Sequence, residues 1–312
     1  MQQLVVYHTN VTSYSIIARE ICRVNGWQCR YITGDLWLPI DVDAFIGSQF
    51  DAVKWHNVRP RRFAYITVEG QFDSAHAWRA LRDLCDRITC YVPTQWGRAV
   101  LEAHGVKVQD VIPHALPEPV PGPPGERPLD VIYLNAHYRF YCRDKFGLFS
   151  QCDSCERKGW RFWPEIRKAF PGSLGFVSNC EVVDGAVGFK AKDIVDVYRL
   201  LALGRVYAHL STHEGFGLNP LMAAAMGAAV VSWDIVPVRE VLPEAVLVPA
   251  QSCATCYLYP HDIMARGTFT ACWGSVGEFI EAVRRALGSP PAVDWQAVRQ
   301  KFSAQKLYAR LA

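Results

Sequence analysis

The sequence predicts an α/β protein of two domains, each a mostly parallel sheet covered by helices, joined by a proline-rich hinge. Three observations predict it. Short β-branched runs alternate with amphipathic stretches along most of the chain. The strand candidates are nearly continuous in apolar residues, as suits parallel strands covered on both faces. The segment 113–125 holds six prolines in thirteen residues, a density that no helix or central strand holds, because proline fixes φ and lacks a donor. A length of 312 residues agrees, since single cores stop growing near roughly 250–300 residues.

In the first half, strands are expected at 4–7, 28–33, 50–56, 63–68 and 88–93. Helices are expected at 14–25, with Ile16, Ile17, Ile21 and Val24 inside, at 74–85 and at 94–104, where Thr94 caps and Gly105 terminates. The second half repeats the pattern. Its strands are expected near 130–134, 174–177, 206–210, 229–232 and 245–248, and its helices near 160–170, 193–203, 220–226 and 276–287. A last amphipathic helix, 294–311, carries Trp295, Val298, Phe302 and Leu307. The expected division is a first domain over 1–114, a linker over 115–128, a second domain over 129–290 and a C-terminal helix over 291–312 that packs back toward the first domain.

Composition narrows the partners. The chain is 50% hydrophobic and 20% charged, with 33 basic and 30 acidic residues for a net charge of +3. Such a balance gives no electrostatic case for nucleic acid. No apolar run approaches the ~20 residues that span a bilayer, and the N-terminus has no signal-peptide core. A cytoplasmic location is expected, with peripheral attachment to a membrane left open.

The most informative stretch runs from Val206 to Gly227. A buried strand ends, a turn His213-Glu214-Gly215-Phe216-Gly217 follows, and a helix begins at once. Asn219 is the expected N-cap, Pro220 the first helical residue and Gly227 the terminator. A helix start after a tight turn is a natural seat for a diphosphate, because its amides and macrodipole face the anion. Gly215 and Gly217 allow close backbone approach. Glu214 is expected to reach into a cleft and accept hydrogen bonds from sugar hydroxyls.

These residues resemble the retaining GT-B glycosyltransferases, whose signature is Ser-x-x-Glu-Gly-Phe-Gly-Leu-x-x-Leu. Ser211, Glu214, Gly215, Phe216, Gly217, Leu218 and Leu221 match it. The likeness extends over roughly 88–249, through the strand at 229–232 to Glu240 and back to Val92–His114. Arg157-Lys158-Gly159 resembles the family's basic motif for the donor diphosphate. The resemblance implies two Rossmann-like domains with parallel sheets facing a central cleft. It further implies transfer of a sugar from a nucleotide-diphosphate donor to an acceptor hydroxyl, with retention. Donor contacts are implied at His213, Gly215, Phe216, Gly217, Leu218 and Asn219. The positive charge of Arg157, Lys158 and the helix terminus would then stabilise the leaving diphosphate, and the chemistry requires no cofactor or metal. One position departs from the family. Eight residues after Glu214 stands Met222, where the family has a second glutamate that holds the ribose and that, as third residue of the expected helix, could close a capping box.

The acceptor half is less informative. Its first loop, His8 to Tyr14, is polar but lacks the family's glycines, and such a run is also ordinary capping chemistry. His56 and Glu69 stand at expected strand ends, where cleft-lining polar groups are found. The acceptor is open among glycan, lipid and protein. Eleven cysteines include the pairs Cys152-Asp-Ser-Cys155 and Cys253-Ala-Thr-Cys256, expected in loops. A shared structural zinc, disulfides and free thiols all remain open, with disulfides at least as favoured as zinc. A non-catalytic sugar-nucleotide-binding or scaffold protein is the competing reading. A Rossmann dehydrogenase is disfavoured, because neither G-x-G-x-x-G nor a Walker A loop is present.

Overall fold

The computed structural model describes residues 3–8, 12–33, 39–54, 58–136, 139–143, 148–178, 184–262, 265–291 and 293–311. His56, and the loop residues Thr9, Asn10 and Val11, lie outside them. The chain forms two compact units. The first comprises 1–117, 257–269 and 302–312, and the second comprises 118–256 and 270–301.

The first unit is built on a six-stranded sheet in the order Gln28–Ile32, Gln3–His8, Ile40–Ser48, Val58–Thr67, Thr89–Val92, Asp110–Val111. Every pairing in it is parallel. Its core strands are buried on both faces, with Tyr7, Phe45 and Tyr65 fully enclosed, as apolar parallel strands require. Helices Thr12–Val24, Ala75–Arg87 and Gln95–Ala103 occupy their expected places. Thr94 caps the last of these, its hydroxyl accepting from the Gly97 amide at 3.0 Å.

The expected strand over 50–56 is corrected. Residues Gln49–Lys54 form a helix, and the strand lies earlier at Ile40–Ser48. The cause is a reciprocal cap, in which Ser48 Oγ accepts from the Asp51 amide at 3.2 Å and the Asp51 carboxylate accepts from the Ser48 amide at 3.3 Å. The last helix is also corrected. It divides into Trp295–Lys301 and Ala304–Tyr308, followed by a 3₁₀ turn. The Phe302 carbonyl at the break accepts instead from the Leu116 amide at 2.9 Å. Within this unit a buried network ties the segment after Val111 in place. Tyr65 Oη donates to the Ile112 carbonyl at 2.7 Å and lies 2.9 Å from His114 Nδ1, while Tyr308 Oη accepts from the Ala115 amide at 2.9 Å.

The second unit has its own six-stranded parallel sheet. The order is Ala186–Gly188, Leu174–Val177, Leu129–Asn135, Gly204–His209, Ala229–Trp233, Val246–Val248. Tyr133, Trp163, Tyr207 and Trp233 fill its core. An antiparallel pair, Arg139–Arg143 with Phe149–Glu156, stands beside it in sequence and was not expected. Strands Ser252–Leu258 and Gly267–Trp273 carry the chain out of this unit and back. No helix among the described residues is long and apolar enough to cross a membrane.

Both C-x-x-C pairs lie in strands, not in loops. Nor do they form one four-sulfur cage. Cys155 is joined to Cys256, Cys152 to Cys142 and Cys253 to Cys272, because the hairpin and the strand Gly267–Trp273 bring nearer partners to each. Disulfides Cys22–Cys29 and Cys85–Cys90 complete the described set.

Candidate active site

In the second unit the turn after Gly204–His209 and the turn after Phe149–Glu156 meet. The Arg157 carbonyl accepts from the Thr212 amide at 2.8 Å, and Arg157 Nε donates to the His213 carbonyl at 3.1 Å. Gly159 seals the junction at φ +76. A Cβ there would lie 1.9 Å from the Leu210 carbonyl oxygen, so only glycine fits. Tyr133 donates from its hydroxyl to the Lys158 carbonyl, and Asn135 Nδ2 donates to Ser211 Oγ at 3.2 Å.

This junction brings three expected residues together. Lys158 Nζ is 2.6 Å from Glu214 Oε1, and Arg157 Nη2 is 3.6 Å from Glu214 Oε2. Arg157 and Glu214 are buried, at 7% exposure each. Burial pushes the Glu214 carboxyl up, but Lys158, then Arg157 and His209, hold it well below the usual carboxylate range. Glu214 is therefore ionised and enclosed among cations, not projecting freely.

The following helix runs Leu218–Ala225, starting two residues earlier than its sequence suggests. Gly217, left-handed at φ 94, takes the N-cap position, and no side chain caps the helix. Asn219 is thus not the cap. It lies inside the first turn, where its Nδ2 donates to the Leu134 carbonyl at 2.9 Å. Met222 becomes the fifth helical residue and is buried at 1% exposure. A capping box through position 222 is consequently excluded. Gly227 terminates the helix as expected, in the left-handed region at φ 78, with the Gly227 and Ala228 amides donating back to Ala224 and Ala223.

Two further residues, to which the turn motif does not point, complete the cluster. His209, fully buried, places Nε2 3.9 Å from Glu214 Oε1. Neither ring nitrogen has a hydrogen-bond partner among the described residues. Burial lowers its pKa to about 4, with Glu214 pulling upward and Lys158 downward. Glu156 Oε1 accepts from the Lys158 amide at 3.0 Å, which orients the basic pair. Burial raises its pKa to about 7. The sequence carries a signal for each: a histidine inside the apolar run Val206-Tyr-Ala-His-Leu210, and a carboxylate directly before the basic pair.

Glu69 belongs to the first unit. Its amide donates to Gln49 Oε1 at 2.8 Å, Gln49 Nε2 donates to the Gly70 carbonyl at 2.9 Å, and Tyr14 Oη donates to Glu69 Oε1 at 3.4 Å. The loop at the end of Val58–Thr67 is thus fixed by the fully buried Gln49.

No family model matches this chain, and no curated protein does. Solved structures do. Sucrose-phosphate synthase (tll1590) from Thermosynechococcus elongatus is similar with a TM-score of 0.60 at 15% identity, over 99% of this chain and 95% of that one. WaaG, a glycosyltransferase involved in lipopolysaccharide biosynthesis, has a TM-score of 0.60 at 13% identity, over 98% of each chain. The pneumococcal O-GlcNAc transferase GtfA, solved with UDP and GlcNAc, has a TM-score of 0.53 at 12% identity. That match covers 81% of this chain and 51% of GtfA, so the chain spans about half of that protein. At such identities the likeness bears on architecture: the chain has the α/β fold of the GT-B glycosyltransferases, with Rossmann-like parallel sheets.

Proposed function

We propose that this protein transfers a sugar from a nucleotide-diphosphate donor to an acceptor hydroxyl, with retention of configuration. The observation that carries the reading is the buried Lys158–Glu214–Arg157 cluster at the start of a helix that no side chain caps. Two cations and a helix terminus are suited to a diphosphate. A carboxylate beside them is suited to the hydroxyls of the attached sugar. WaaG and GtfA are described as transferases, and GtfA was solved with UDP and GlcNAc, which supports a nucleotide-sugar donor.

In this reading Lys158 and Arg157 neutralise the charge that develops on the departing diphosphate. The bond from the anomeric carbon to the phosphate oxygen breaks, and the acceptor oxygen bonds to the same face. The acceptor proton passes to the departing phosphate. Glu214 is partly released from Lys158 as the diphosphate arrives and accepts from the sugar. Glu69 is the acceptor-side candidate.

Met222 favours a second reading, a sugar-nucleotide-binding protein without turnover. Its buried thioether cannot hold a ribose. One series of measurements separates the two. Thermal shift against nucleoside diphosphates and their sugar conjugates identifies the bound base, and release of nucleoside diphosphate from that conjugate then reports turnover. Slow release without acceptor is expected. Glu214→Ala and Lys158→Ala are each expected to abolish it with an unchanged circular dichroism spectrum. Binding with no release supports the second reading, and normal release in both variants removes the site assignment.

A further inference from the structure

Two disulfides of the second unit occupy one place. Cys142 lies in strand Arg139–Arg143, and Cys152 and Cys155 lie in its antiparallel neighbour Phe149–Glu156. In a regular strand residues 152 and 155 face opposite sides, because side chains alternate. Here the register shifts between Gln151 and Glu156, and the irregularity turns both sulfurs toward Cys142. The sulfurs of Cys142, Cys152 and Cys155 all lie within 4.8 Å of one another, and Cys142 Sγ is 3.5 Å from Cys155 Sγ. Cys256, bonded to Cys155, places a fourth sulfur beside these three. Cys155 and Cys256 are fully buried, and Cys142 and Cys152 half-buried.

Four thiolates around a tetrahedral zinc, each at about 2.3 Å, stand about 3.8 Å from one another. The Cys142–Cys155 contact is already near that spacing. Parting each bonded pair to that spacing takes about 1.7 Å of sulfur movement, and the Cys256 sulfur must also close on the other three. Such a centre carries two net negative charges. Arg161 donates to the carbonyl of Asp153, which follows Cys152 in the chain, and its Nη2 is buried without a hydrogen-bond partner among the described residues. A cation with an unused donor therefore stands at this hairpin.

We propose that Cys142, Cys152, Cys155 and Cys256 form a single structural zinc site when their two disulfides are reduced. Two equivalents of a dithiol reductant supply four electrons and four protons, leave as cyclic disulfides and give four thiols. Zinc then binds the four sulfurs as thiolates, and their protons pass to solvent. The ligand set excludes Cys253, which is bonded to Cys272, and includes Cys142 in its place. Cys155 directly precedes Glu156, Arg157 and Lys158. Disulfide and zinc thus provide two alternative anchors for the same basic turn, one for oxidising and one for reducing surroundings.

The test uses the full chain, reduced with excess dithiothreitol, separated from it without oxygen, and titrated with Co²⁺ and then Zn²⁺. One Co²⁺ per chain is expected, with the visible absorption of a tetrahedral thiolate site, displaced by one Zn²⁺. In the zinc-loaded protein, alkylation followed by peptide mass spectrometry should spare Cys142, Cys152, Cys155 and Cys256 and label Cys253 and Cys272. Cys142→Ser should lose the cobalt band, and the double variant Cys253→Ser with Cys272→Ser should keep it. Absence of the band, protection of Cys253 and Cys272 in place of Cys142, or a band unchanged in Cys142→Ser each overturns the proposal. So does a reduced chain that neither gains the band nor recovers its circular dichroism when zinc is added.

Discussion

At the scale of single residues, four buried titratable groups make stability depend on acidity. His209 and His114 have pKa values lowered by burial, to about 4 and about 3. In the unfolded chain they bind protons near pH 6.5. Their contribution is therefore complete above about pH 6.5 and is lost as pH falls toward the folded values. Glu156, raised to about 7 by burial, acts oppositely: its contribution is present below the ordinary value near about 4.3 and is lost as pH rises through 7. Glu214, held low by Lys158 and Arg157, adds stability above about 4.3 that disappears only in stronger acid. The melting temperature is expected to fall between pH 6.5 and pH 4, less steeply than two histidines alone would cause. His209→Leu should flatten that fall in a series of thermal melts. An unchanged slope in the variant would show that His209 does not titrate in this window. Glu214, Arg157 and Lys158 were legible because a turn motif and a basic pair are local patterns. His209 and Glu156 were not, because their significance arises only when two turns separated by about fifty residues of chain are folded together.

At the scale of elements, caps decide where helices begin, and the sequence shows some caps more plainly than others. Thr94 is a visible cap and a real one, fully buried, with its hydroxyl on the Gly97 amide. Thr94→Ala is expected to cost about 1–2 kcal/mol, measured by urea denaturation, and to leave the sheet spectrum unaltered. A cost near zero would assign the helix start to packing alone. The cap formed by Ser48 and Asp51 was also present in the sequence but was hidden inside a stretch whose Phe50 and Val53 suggest a strand. The helix Leu218–Ala225 shows the converse. Asn219 and Pro220 look like a cap and a first residue, yet Gly217 in the left-handed region starts the helix and frees Asn219 to bond Leu134. Apolar pattern predicted that these elements exist, and side-chain hydrogen bonding set their limits.

At the scale of the whole molecule, the proline-rich segment is irregular, as its composition requires. The alternation of strands and helices on either side is enough to indicate two parallel sheets. Disulfide partners were not legible, because cysteine spacing leaves many pairings open and only the folded strands choose among them. Nor was the return of residues 257–269 to the first unit, since nothing local distinguishes them from their neighbours. That return has a consequence for how the molecule can be divided. The chain passes from unit to unit at 117/118, 256/257, 269/270 and 301/302, so neither unit is one continuous stretch. A cut in the proline run leaves a first fragment without Tyr308, whose carbonyl accepts from Asn25 at 3.1 Å, and without Arg310, which pairs with Asp110. Limited proteolysis within 118–125 is therefore expected to give two bands on a denaturing gel but one peak in native size exclusion. Two separate peaks would refute it. The gene likewise has no single joint at which its halves can be exchanged as cassettes: a chimera made at the hinge inherits the missing pieces of its first unit from the other parent.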